Sequence, residues 1–179
     1  MATTWKIDPD HSEIQFKVKH LMITTVTGYF RQFEGEVITE GDDFNTTTML
    51  WFKAKADSLD TTSEQRDAHL KSPEFFDVKN FPDVSFSGSR FETLGENATM
   101  EGNLTIKGIS KPISLEVEFA GQVVDPYGQY KAGFTFSGKL SRKEYGMLWN
   151  VVTETGGIVA SDEVRLLGEV QVIRQPASA

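Results

Sequence analysis

Three histidines, His11, His20 and His69, are the chain's whole stock of imidazole, and cysteine is absent. Without a thiol there is no thiolate nucleophile, no disulfide and no cysteine-ligated metal. The histidines stand too far apart for the His-Glu-x-x-His spacing that puts two ligands on one helical face, so no metal site is expected. Ser12 follows His11, but neighbours in a strand point to opposite faces and do not make half a triad. No nucleophile elbow, phosphate-cradling glycine loop or dinucleotide fingerprint occurs. The expectation is a protein that is not an enzyme and carries no cofactor.

What remains is polar recognition by single groups. Arg66, Asp67 and His69 fall in one polar stretch, and Arg142, Lys143 and Asn150 in a second. Arg and Lys can pair a phosphate, and His69 or Asn150 can bond a carbonyl. Each also has a purely architectural reading, Arg66 and Asp67 as an ion pair of the scaffold foremost. His20 ends the apolar series Ile14, Phe16, Val18, so it is either a hydrogen-bonded core histidine or a ligand contact.

The elements that must position these groups are strands. Ile14, Phe16, Val18 and His20 alternate with Glu13, Gln15, Lys17 and Lys19; Ile113, Leu115, Val117 and Phe119 alternate with Ser114, Glu116 and Glu118. Period-two alternation gives each strand an oily face and a wet face. After Trp5, Ile7 and the turn Asp8-Pro9-Asp10, eight such segments follow: Ser12 to His20, Thr27 to Ile38, Thr46 to Ser58, Asp83 to Phe91, Met100 to Ile106, Ile113 to Val123, Tyr130 to Leu140 and Val164 to Val172. In the second segment Gly28 and Phe30 share one face while Phe33, Gly35 and Val37 share the other, which predicts a bulge near Gln32. Turns at Gly41-Asp42-Asp43, Gly95-Glu96-Asn97, Lys107-Gly108 and Asp125-Pro126-Tyr127-Gly128 are short, so strands adjacent in sequence pair in space. The result is an all-β, eight-stranded antiparallel up-and-down barrel.

Two insertions read as helical. Thr61-Thr62-Ser63-Glu64 and Ser141-Arg142-Lys143-Glu144 both have capping-box spacing, and Ser72-Pro73-Glu74 starts a further turn. Such segments serve as lids, or merely plug a barrel end and cover its edges.

Bulk properties narrow the partners. The 179 residues form one domain without a linker-like stretch, and a net charge of -8 with a pI near 4.9 argues against nucleic acid and anionic membranes as main partners. No run of residues is long and apolar enough to span a bilayer. Met-Ala-Thr-Thr-Trp lacks the regions of a secretory signal, so the chain as written is expected in the cytoplasm; a signal removed ahead of Met1 would make it periplasmic or extracellular.

An eight-stranded barrel is just wide enough to be filled by side chains or to hold one slender ligand. Its inward candidates mix large groups with small ones. From the strands come Ile14, Phe16, Val18, Phe30, Phe52, Phe86, Leu104, Ile106, Leu115, Val117, Phe119, Phe134, Phe136 and Leu166, and from the second insertion Met147 and Trp149. Small residues (Ala54, Ala56, Gly88, Gly102, Ala132, Gly138, Gly168) either leave a lengthwise channel or offset large neighbours in a dry core.

Five blocks in order along the chain carry a resemblance: Trp5-Lys6-Ile7-Asp8-Pro9-Asp10-His11-Ser12-Glu13-Ile14-Gln15-Phe16; the run from Arg66 to Asp77; Asn80-Phe81-Pro82; Gly102 to Gly108; and Ser141 to Gly146. With these the chain resembles the YceI family of bacterial polyisoprenoid-binding proteins. The resemblance implies a lipocalin-like barrel whose pocket holds a long isoprenoid, such as a prenyl quinone or prenyl phosphate, against the apolar residues named above. Arg66, His69, Arg142 and Asn150 are then the candidates for the polar head. Many members are secreted to the periplasm, whereas this sequence shows no signal. The competing reading is a filled barrel that binds a protein, in stress or otherwise, through the aromatic stretch Tyr145 to Trp149. A homodimer through an exposed strand edge is compatible with either.

Overall fold

The computed structural model describes residues 1–94, 97–150 and 160–177. The predicted turn at Gly95-Glu96 lies outside them. One antiparallel sheet carries strands β1 (Ala2–Ile7), β2 (Glu13–His20), β3 (Thr24–Phe30), β4 (Phe33–Glu40), β5 (Met49–Lys55), β6 (Leu59–Asp60), β7 (Asp83–Leu94), β8 (Asn97–Ile106), β9 (Ile109–Val124), β10 (Tyr130–Ser141) and β11 (Ala160–Arg174). Three staves of the barrel are broken strands, β1 with β2, β3 with β4 and β5 with β6; β7 to β11 are continuous, giving eight. Each stave pairs with its neighbour in sequence, and β11 closes the ring by pairing with both β1 and β2. This is the expected lipocalin-like meander.

The breaks have local causes. Between β1 and β2, Pro9 starts a 3-10 turn capped by Asp8, whose carboxylate accepts from the Asp10 amide at 3.1 Å and meets His11 Nδ1 at 2.7 Å. The Asp8 amide donates to Gln171 O at 2.8 Å and so re-anchors the joint on β11. The phase change predicted near Gln32 is a full strand break at Arg31 and Gln32, opposite the second interruption at Ala56–Ser58. The two gaps satisfy each other: Arg31 N donates to Ser58 O, Lys55 N to Gln32 O, and Gln32 N to Ser58 Oγ.

The third predicted strand begins at Met49 rather than Thr46. Asp43 accepts from the Asn45 amide and Thr46 Oγ1 donates to Asp43 O, so these short polar side chains hold the 3-10 turn Phe44–Thr46 in place of a ladder. The first insertion forms α1 (Glu64–Lys71), whose cap is Ser63, not Thr61; Ser63 Oγ accepts from Arg66 N. Thr61 is buried instead and donates both its amide and its hydroxyl to Asp67 Oδ1. In the second, Ser141 bonds the Asp162 carboxylate, leaving the 3-10 helix Arg142–Tyr145 without a side-chain cap.

The two barrel ends differ. At one, Trp5, Phe44, Phe119 and Phe134 form an aromatic plug, with Trp5 to Phe44 at 4.7 Å and Phe44 to Phe134 at 4.9 Å between ring centres. Trp5 is fully buried, and its indole N–H donates to Thr39 Oγ1. At the other end α1, the turns of residues 72–81 and the strap of residues 146–150 lie across the opening.

Candidate ligand-binding cavity

Between plug and lid the barrel is hollow, enclosing a cavity of about 610 Å³. That lies within the ~300–1,000 Å³ usual for small-molecule sites. Its wall is made by the inward faces that alternation requires. Ile14, Phe16, Val18 and Phe30 come from β2 and β3; Phe52, Phe86, Leu104 and Ile106 from β5, β7 and β8; Leu115, Val117, Phe134, Phe136 and Leu166 from β9 to β11.

The small inward residues are not themselves the channel. A Cβ built on Gly28 would lie 2.1 Å from the Phe16 ring, one on Gly168 2.2 Å from Phe136, and one on Gly102 2.6 Å from Phe86. Phe16 and Gly28, like Phe136 and Gly168, are direct cross-strand partners. Each ring lies down over the bare backbone of its partner. Glycine thus seats an aromatic ring against the wall, and the lumen stays open in front of it.

Phe119, expected inside, is 40% exposed and does not line the cavity. It keeps the inward parity but stands directly opposite Phe134 at the plug, where the register between β9 and β10 shifts at Gly133 and Phe134. Leu70, Phe75 and Phe76 line the cavity from the first insertion and were not among the predicted contacts. Phe76 packs on Phe16 and Phe30, closing the lumen from above. The signal was present as an apolar cluster inside an otherwise polar segment.

The polar candidates separate at the mouth. Arg66 and His69 line the cavity. Arg66 donates to Thr61 through Nε and Nη2, so the expected pair with Asp67 is replaced by two residues gripping the same threonine. His69 bonds Glu74 and is wedged edge-on between Phe75 and Trp149. His20 lines the rim but is exposed, which removes the core-histidine reading.

Arg142 lines the cavity too, yet it is 2% exposed and locked. Its guanidinium donates to the carbonyls of Ser161, Met147, Trp149 and Ala160. Burial pushes its pKa down, against the favourable field of Asp162. It staples the strap carrying Met147 and Trp149, both cavity-lining, onto β11. Asn150 and Lys143 do not line the cavity; Asn150 Nδ2 donates to Ala160 O, and the Lys143 amide donates to Asp162.

Among the described residues no buried side-chain nitrogen or oxygen lacks a partner. The wall is chiefly apolar, and a polar group carried in among its aliphatic and aromatic side chains would forfeit its hydration. The interior suits apolar matter; the polar side chains among its lining include Arg66, His69, His20, Arg142, Lys19, Ser63, Gln65 and Glu36. Among the described residues no cluster of His, Asp and Glu could hold a metal. Ser12 Oγ accepts from the Gln171 amide while His11 turns to Asp8, so neither activates the other.

Fold and cavity define an eight-stranded, lipocalin-like barrel around an open apolar lumen with one lidded end. The chain belongs to the YceI-like domain family, whose model matches residues 5–172. Protein YceI of Salmonella newport is 34% identical over 182 residues, covering 98% of this chain and 89% of that protein. The crystal structure of the Campylobacter jejuni YCEI protein is similar at a TM-score of 0.75 and 30% identity, covering 88% of this chain and 90% of that one. A polyisoprenoid binding domain from Saccharophagus degradans shares the fold at a TM-score of 0.67 and 12% identity, covering 96% and 98%.

Proposed function

We propose that the protein binds, carries or stores a polyisoprenoid lipid, a prenyl quinone or prenyl phosphate, with the tail in the barrel and the head at the mouth. The observation that carries this is a 610 Å³ lumen walled by apolar side chains, with Arg66 and His69 at its rim. Burying apolar carbon gains about 0.8 kcal/mol per methylene, so a prenyl tail supplies affinity without any specific hydrogen bond. The name of the Saccharophagus domain points to the same ligand class. The open lumen favours this reading over a filled barrel that binds a protein through Tyr145 to Trp149.

Native mass spectrometry of protein purified from its own host, paired with lipid extraction, tests the proposal. A stoichiometric polyprenyl species is expected. Leu104→Asn puts an amide into the wall and should abolish retention in protein that still folds. A bare polypeptide mass that persists after incubation with prenyl quinones and prenyl phosphates overturns the reading.

A further inference from the structure

The hairpin joining β2 to β3 sends its apolar residues outward. Ile23 is 78% exposed, Met22 55% and Leu21 40%. Ile23 N donates to His20 O, closing a turn whose two central residues, Leu21 and Met22, have φ of 51° and 60°. Asn-Gly occupies such a turn at little cost, and Leu-Met does not. Neither the backbone nor the core gains from these side chains.

The tip stands at the cavity mouth. His20 and Val26 on either side of it line the lumen, and His20 pairs with Ala160. Asn150 bonds the same Ala160, which brings alongside the strap whose Leu148 is 66% exposed. On the outer face behind the tip stands Lys17, with Arg165 directly opposite it and Lys139 opposite Arg165, and the exposed Lys19 follows at the rim of the cavity. Lys139 is paired with Glu163. Lys17, Lys19 and Arg165 have no ion pair among the described residues, although like charges set opposite one another on a sheet are unfavourable. The acids of this wall lie elsewhere or are engaged: Glu13 and Glu169 face each other toward the plugged end, and Asp162 is held by Ser141 and the Lys143 amide.

We propose that this end of the barrel docks on an anionic phospholipid surface, Leu21, Met22 and Ile23 entering the interfacial layer while Lys17, Lys19 and Arg165 face the headgroups. The inference rests on the lipid-binding reading and places the cavity mouth against the membrane. An apolar wedge beside basic residues is the combination that holds a protein at such an interface. The net charge of -8 does not prevent it. Charges are screened beyond about 8 Å at physiological ionic strength, so the local row governs contact.

Flotation of the full chain with vesicles of phosphatidylglycerol and phosphatidylethanolamine, compared with phosphatidylcholine alone, tests the docking. Wild type should float with the anionic vesicles. The double variant Leu21→Asn, Met22→Gly supplies the residues the turn prefers, so it should unfold at an equal or higher denaturant concentration while its bound fraction falls about tenfold. Lys17→Glu with Lys19→Glu should remove the preference for anionic vesicles. Wild type that does not float, or a tip variant that floats equally well, overturns the proposal. So does a wild-type dimer on gel filtration that the tip variant converts to monomer with vesicle binding unchanged, which would assign the tip to contact between copies. A prenyl quinone added from ethanol separates the two readings. A tip variant that still takes it up leaves the cavity reading standing whatever happens to docking. Wild type that binds vesicles but takes up no quinone sinks the cavity reading alone.

Discussion

The pairing of Phe136 with Gly168 shows how single residues set the width of the lumen. The ring rests where a Cβ would stand, with Phe136 Cε1 2.2 Å and Glu13 O 2.9 Å from that position. Gly168→Ala must therefore lift the ring into the cavity. Overpacking of this kind costs roughly 1–3 kcal/mol. Urea denaturation should show a loss in that range, and lipid occupancy should fall with it; adding Phe136→Leu should recover both. A Gly168→Ala protein of wild-type stability and occupancy would show that the ring does not define the space. Parity along each strand was legible in the sequence and placed Phe136 and Gly168 on the inner face. That the glycine is a seat for the ring was not, because it depends on which residue of the next strand lies opposite, a property of register rather than of either segment.

The second insertion is held at the scale of an element by one buried cation and one carboxylate. Arg142→Met takes the donor from the carbonyls of Met147, Trp149 and Ser161 and leaves Ala160 O to Asn150, at about 1–3 kcal/mol for each group that water cannot reach. Reduced stability and faster release of bound lipid are expected, measured by denaturation and by exchange of a fluorescent prenyl probe. Asp162 is opposed by burial but held below its usual range by Ser141 Oγ, the Lys143 amide and the charges of Lys143 and Arg142. A carboxylate depressed in the folded state contributes stability that is complete above its unfolded value near 3.8 and is lost as pH falls through the lower folded value. Asp162→Asn should therefore lower stability at pH 7 and flatten the acid limb below about pH 3.8, seen in denaturation midpoints across that range. Both capping-box spacings were present in the sequence, and neither box forms. Thr61 is drawn to Asp67 and Ser141 to Asp162, partners a four-residue pattern does not contain. The helical character of the insertions was legible; the identity of the caps was not.

For the whole molecule, the eight staves and their order were legible because short turns leave a meander few alternatives. The plug was not, since it is assembled from Trp5, Phe44, Phe119 and Phe134, residues far apart in the chain. A protein cut after Ser141, lacking β11, is expected to show neither cooperative unfolding nor lipid uptake; either property surviving the cut would mean the ring closes without its last stave. The pairing of β11 with both β1 and β2 also has a temporal side. During translation the first strands emerge long before the strand that must join them, so the pocket has no walls to speak of until the final stave leaves the ribosome. On the proposed function such a protein meets its lipid only as a finished chain, and every nascent copy must shelter an unclosed, greasy sheet until synthesis ends.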